Sequence, residues 1–187
     1  LSGGNRTITT SDDAITFGST ITGANNDLTI AAGTGVTEFD GAVTMGTGAI
    51  AITGGMNLDA NIVSVASLSV STTSDLAANV TTSGTQTYTG AATISADSTL
   101  TTTDSNITFG NTVVGDASDD GLTISIGTGI VQFVGTVGAG GGANDVGAIA
   151  ITGGLNLDAA ITSAASLTVS TTSNFCLLYT SPSPRDY

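Results

Sequence analysis

Self-similarity at two scales narrows what this chain can fold into more than any other feature. Residues 48 to 74, GAIAITGGMNLDANIVSVASLSVSTTS, return at 147 to 173 as GAIAITGGLNLDAAITSAASLTVSTTS, with 22 of 27 positions identical at an offset of 99. Upstream, residues 27 to 43 match 121 to 137 at an offset of 94, and AITFG at 14 to 18 matches NITFG at 106 to 110 at an offset of 92. The offset grows inside polar, glycine-rich stretches, as expected where loops absorb insertions and packed segments do not. A shorter rhythm runs inside the long one. Phe17, Phe39, Tyr88, Phe109 and Phe133 are spaced by 22, 49, 21 and 24 residues, which reads as a module of about 21–25 residues, four to a unit, with the gap of 49 spanning two modules.

Within the modules, apolar residues stand two apart. Ile15 and Phe17, Leu28 and Ile30, Ile50 and Ile52, Met56 and Leu58, and Leu122 and Ile124 each flank one small residue. Later in the chain Ile149 and Ile151, Leu155 and Leu157, and Leu167 and Val169 do the same. This is the alternation of a strand with one buried face, and no helical period is sustained anywhere. Threonine on the outer positions favours strand, while Gly, Asn and Asp clusters supply turns. A module of two or three short strands cannot bury its own apolar face, but copies stacked on one another can. The expected fold is therefore all-β, a parallel β-helix or β-solenoid over residues 1–175, with unit one at about 1–104 and unit two, truncated, at about 105–175. Tandem immunoglobulin-like sandwiches are the alternative for a repeat near 95 residues, but they predict no finer rhythm and usually bring a core Trp, of which there is none.

Composition excludes several functions. The chain carries two Arg, no Lys and no His against fifteen carboxylates, a formal charge of −13, so it lacks the cations that bind nucleic acid or an anionic bilayer. No run of 18 apolar residues offers a membrane span, and 4% aromatic residues are too few for the girdles of a membrane barrel, so this segment is not expected to insert. With no His or Lys, and its one cysteine at Cys176, the body lacks most general bases and nucleophiles.

Carboxylate pairs remain. Asp12 with Asp13, Asp119 with Asp120, and Glu38 with Asp40 are the pairs that a β-helical polysaccharide-cleaving enzyme could use, the last pointing to one face of a strand. None has Arg, Lys or an aromatic platform nearby in sequence, and all read as solvated charge. No catalytic, cofactor or metal residue is assigned, and weak calcium binding is the one cofactor chemistry left open. DASDDG at 116 to 121 opens like a calcium loop with Asp116, Ser118 and Asp120, yet its twelfth position is Gly127 where a bidentate acid is needed. GGGAND at 140 to 145 resembles one nonapeptide of a calcium-binding β-roll, once and out of spacing. Threonine pairs such as Thr7 with Thr9 and Thr101 with Thr103 would make an ice-binding face only if they recurred at one place in every coil, and along the sequence they drift. Asn5, Asn79 and Asn106 begin Asn-x-Thr sequons, expected by chance in so threonine-rich a chain.

Read beside the rest, GTQTYTGAATISADSTLTTTDSNITFG at 84 to 110 resembles the β-strand repeats of very large bacterial surface proteins of the filamentous haemagglutinin-like and autotransporter-adhesin kind. That resemblance implies export, a right-handed parallel β-helix, an extracellular or cell-surface location, and a non-catalytic stalk or adhesive surface. Its partners would be neighbouring repeats of the same chain and host or environmental glycans or proteins. A β-helical polysaccharide-active enzyme and a phage or viral fibre are the alternatives. At the end of unit two the repeat predicts AANVTTSGTQTYTG after Phe175, but Cys176 follows instead. CLLYTSPSPRD at 176–186 resembles a translated sequencing-library adapter, so 176–187 reads as a non-native tail on a natural chain that continued past 175.

Overall fold

Each apolar pair two residues apart turns both side chains inward from one short strand, and the Gly, Asn or Asp that follows turns the chain onto the next. In the computed structural model, which describes residues 1, 3–116, 118–138, 145–171 and 173–175, this produces nineteen strands and no helix among the described residues. Every strand pairing is parallel, and strands 18 to 27 residues apart in sequence lie side by side. The chain is a β-solenoid, as the repeats predict. Cys176 and the adapter-like tail lie outside the described residues, as does most of GGGAND.

The strands fall into three ladders, one per side of the coil. The first runs from Arg6–Thr9 through Leu28, Ile50, Leu68, Gln86, Ile107, Val131 and Leu155 to Ser173–Phe175. The second runs from Ile15–Phe17 through Phe39, Leu58, Leu76 and Ile94 to Val113–Gly115, continuing as single bridges to Val137 and Ile161. The third joins Ile21, Val43, Ile62, Val80, Leu100, Ile124, Ile151 and Val169. Nine strands at about 4.8 Å apart make a rod of roughly 40 Å.

Inside is one connected apolar core. Phe17 stacks on Phe39 at 5.3 Å between ring centroids, and Phe109 lies between Tyr88 and Phe133 at 5.1 Å from each. The two stacks stand on different sides, so the aromatic spacings of 22, 21 and 24 are single coils while the gap of 49 is not. From Phe39 to Tyr88 the chain takes eight sides, two and two-thirds coils, and changes ladder. Gln86 is the largest of the buried polar side chains: its Nε2 donates to the carbonyls of Val80 and Thr101 and to Thr82 Oγ1, and its Oε1 accepts from Tyr88 Oη at 3.0 Å. Burial pushes the Tyr88 phenol far above its ordinary range.

Two expectations are corrected. Coils are not uniformly 21–25 residues: between Ile50 and Gln86 they are 18, because the strands there are joined by tight corners. The longer coils gain residues at corners, and one residue is gained inside a strand, where the register of Ile62–Val65 slips against Val80–Thr82. Opposite the single Gly54, the earlier strand spends the four residues Ala32 to Gly35 between Ala31 and Val36. Nor do four coils make a unit. Leu28 and its repeat counterpart Leu122 are fourteen sides apart, four and two-thirds coils, so Leu28 stands on the first ladder and Leu122 on the third. Equivalent residues of the two units therefore point in different directions.

Candidate functional surface

The long corners share one device. Asp12, Asn25 and Asp104 adopt left-handed backbone (φ 66, 68 and 53), and each sits over a left-handed glycine of the next coil, Gly33, Gly46 and Gly127. In each case the Asx Oδ1 accepts the N–H of the threonine after that glycine: Thr34 at 2.8 Å, Thr47 at 3.0 Å and Thr128 at 2.9 Å. A Cβ on Gly127 would lie 2.2 Å from Asp104 Oδ1, so only glycine fits beneath. Other acids and amides tie coils the same way. Asp27 accepts from Ala49, Asp97 from Gly121, Asn79 from Thr99 and Asn106 from Ile130. The three sequon asparagines are exposed, and all three use their side-chain oxygen to accept a backbone N–H of the next coil, Asn5 from Asp27. The sequence reading missed this role, although Gly-Thr placed one coil after an Asp or Asn was its signal.

The three candidate pairs are placed differently. Asp12 is a corner tie, and Asp13 offers its carbonyl to Thr10 Oγ1 at 2.7 Å. Glu38 and Asp40 do come together, joined by Asp59 from the next coil, with one oxygen of each within 4.8 Å of the others. Thr16 donates to Glu38 at 3.0 Å and Asn57 to Asp59 at 3.2 Å. With Asp75 these acids make the outer side of the second ladder acidic in unit one. In unit two the counterparts are Gln132, Val134 and Asp158, so two of the three carboxylates are not repeated. Three clustered carboxylates have the chemistry to hold a cation, but they sit on an open face.

Asp119 and Asp120 lie in the loop that leads to the strand Leu122–Phe133. Asp116 Oδ1 accepts the Ser118 N–H at 2.7 Å, closing a tight turn. Asp120 is half-buried, yet its Oδ2 is shut off from solvent without a donor among the described residues, and that desolvation, with Asp116, Asp97 and Asp119 near, pushes its carboxyl up. Gly127, the twelfth position of the loop motif, stands at a corner after the chain has already run through a strand. The EF-hand geometry is not built.

Along the strands of the other two sides the outward positions are neutral, the remaining acids standing at corners and in loops. On the first ladder the outward positions Thr7, Thr29, Ala51, Ser69, Thr87 and Thr108 stand in one row. On the third, Thr99, Thr123, Ala150 and Thr168 do the same. The drift of the threonine pairs along the sequence thus becomes alignment in space, because along these rows coil length varies at corners and not within the paired strands. A shallow depression of about 270 Å³ on the third side has Asp97 as its one carboxylate, and another of about 350 Å³ beside Ile130 has none.

What these features define is a three-sided β-solenoid with one acidic side and two hydroxyl-rich ones. Compared with protein-family models, with curated proteins and with solved structures, the chain matches none.

Proposed function

We propose that this chain is a structural and adhesive segment of a secreted or cell-surface bacterial protein, serving as an extended stalk whose sides make weak multivalent contact with glycans or proteins of a host or environmental surface. The observation that carries the reading is the unbroken core. Each added coil buries the same kind of apolar pair against its neighbour, so length is gained without new design. The outer skin of Thr, Ser and Asn offers many hydroxyls, and the body before the tail presents Arg6 as its one cleavage point for trypsin-like proteases. Low-affinity contacts repeated along a rod gain strength through effective concentration. Corner carboxylates already engaged with backbone N–H groups serve this role as fasteners, and any calcium held by Glu38, Asp40 and Asp59 would be an exposed, weakly bound ion.

Beads coated with the chain should adhere to mucin or neutral polysaccharide films better than beads carrying an equally acidic protein of other fold. Equal adhesion would sink the proposal. Release of reducing ends from those polysaccharides would replace it with the hydrolase reading, and a stable trimer in solution with the fibre reading.

A further inference from the structure

We propose that the two neutral threonine strips form an ice-binding surface. On the first ladder the outward pairs Thr7 with Thr9, Thr29 with Ala31, and Ala51 with Thr53 lie on successive coils, and Ser69 with Ser71 and Thr87 with Thr89 continue the row. On the third ladder Thr99 with Thr101, Thr123 with Ser125, and Ala150 with Thr152 repeat the arrangement, followed by Thr168. The second strip is the first one's repeat copy, turned to another side by the fourteen-side unit. Between the copies Ala31 becomes Ser125 and Ser69 becomes Thr168, so the strip stays within Thr, Ser and Ala, while the acidic side loses Glu38 and Asp40 to Gln132 and Val134.

The strips constrain their partner. They bear no ionisable group on a chain whose net charge is −13, so the matching surface is neutral. They hold no aromatic ring on which a sugar could stack; the strip on the first ladder lines neither depression, while Thr99, Thr123 and Ala150 of the strip on the third ladder line the shallow one beside Asp97. What they do present is a regular array of hydroxyls and methyls, about 4.8 Å from coil to coil and about 6.6 Å between positions two apart on a parallel strand. Hexagonal ice is flat, neutral and periodic, with rows of water oxygens at spacings close to these. Threonine's few χ1 rotamers mean that little side-chain freedom is lost on adsorption.

The test uses the full chain in ice-affinity partitioning and thermal hysteresis. The protein is expected to enter slowly growing ice and to produce measurable hysteresis. Thr29→Tyr with Ser69→Tyr should lower hysteresis at least severalfold, and adding Thr123→Tyr with Thr168→Tyr should remove the remainder. Tyrosine suits exposed strand positions, so these variants should keep the far-UV signature of the fold. Thr93→Tyr, on the acidic side, should change nothing. Should the tyrosine variants misfold, Thr29→Val with Thr87→Val decides instead, removing hydroxyls at constant shape, with loss supporting the proposal and no change overturning it. Exclusion of the wild type from ice overturns it, as does full activity in the fourfold tyrosine variant. A wild-type dimer that the tyrosine variants dissolve, without any ice effect, would assign the strips to a second copy and also overturn it.

Discussion

Replacing Phe109 by alanine probes the central claim that successive coils share one dry interior. Phe109 is fully buried, with Tyr88 on one side and Phe133 on the other, both rings at 5.1 Å and nearly parallel. Truncating a buried phenylalanine costs roughly 3–5 kcal/mol, and each lost aromatic contact carries about 0.5–1.5 kcal/mol beyond area burial, which places this site near the top of the range, about 4–5 kcal/mol. Phe17 provides the internal standard. It stacks on Phe39 alone, at 5.3 Å, and is half-exposed at the first coil, so Phe17→Ala should cost about 1–2 kcal/mol. Urea denaturation followed by far-UV circular dichroism would read both, as a fall in midpoint at unchanged slope. Since whole domains are stable by only about 5–15 kcal/mol, the Phe109 variant should be visibly crippled. If Phe109→Ala costs no more than Phe17→Ala, the stack is not the interior of a continuous core and the reasoning fails.

Three further outcomes are expected. Gly127→Ala should destabilise by about 2–3 kcal/mol, from forcing a side chain into left-handed backbone and displacing Asp104 from the Thr128 N–H, with Asp104→Asn nearly neutral because its amide oxygen still accepts; denaturation midpoints of the two variants check this. Thr37 is buried with a hydroxyl that has no partner among the described residues, so Thr37→Val should stabilise by about 1 kcal/mol, and a loss instead would reveal a hidden partner. Burial first and the neighbouring acids second raise the Asp120 carboxyl above 3.8, so its ionised form is disfavoured in the folded chain and stability falls as pH rises through the carboxylate range. Asp120→Asn should then raise the melting temperature at neutral pH, and the gain should vanish by about pH 3, well below 3.8, where the wild-type group is protonated in both states; a gain that persists there would refute the cause.

The pairs Leu28 with Ile30 and Ile50 with Ile52 announced strands with one wet and one dry side, and their recurrence announced stacking, because alternation is a local property of the backbone. The coil length was also written in the chain. Nine buried positions six apart run from Ile50 to Ser98, but Ser74, Gln86 and Ser98 hide the rhythm: the burial of Gln86 and Ser98 is made tolerable by hydrogen bonds that only the neighbouring coils supply, and Ser74 is small enough to be buried without one among the described residues. The aromatic residues were a truer guide within a ladder than between ladders, where Phe39 and Tyr88 belong to different sides.

By itself, the amino-acid order determined that this protein is a stack of β-coils with an acidic, lysine-free skin, because side-chain alternation and charge need no knowledge of what lies above or below. Only the tertiary structure decided which residues face the same way. Corners of unequal length uncouple position along the chain from position around the rod, so Glu38, Asp40 and Asp59 converge, scattered threonines align, and the two copies of one repeat look out from different sides.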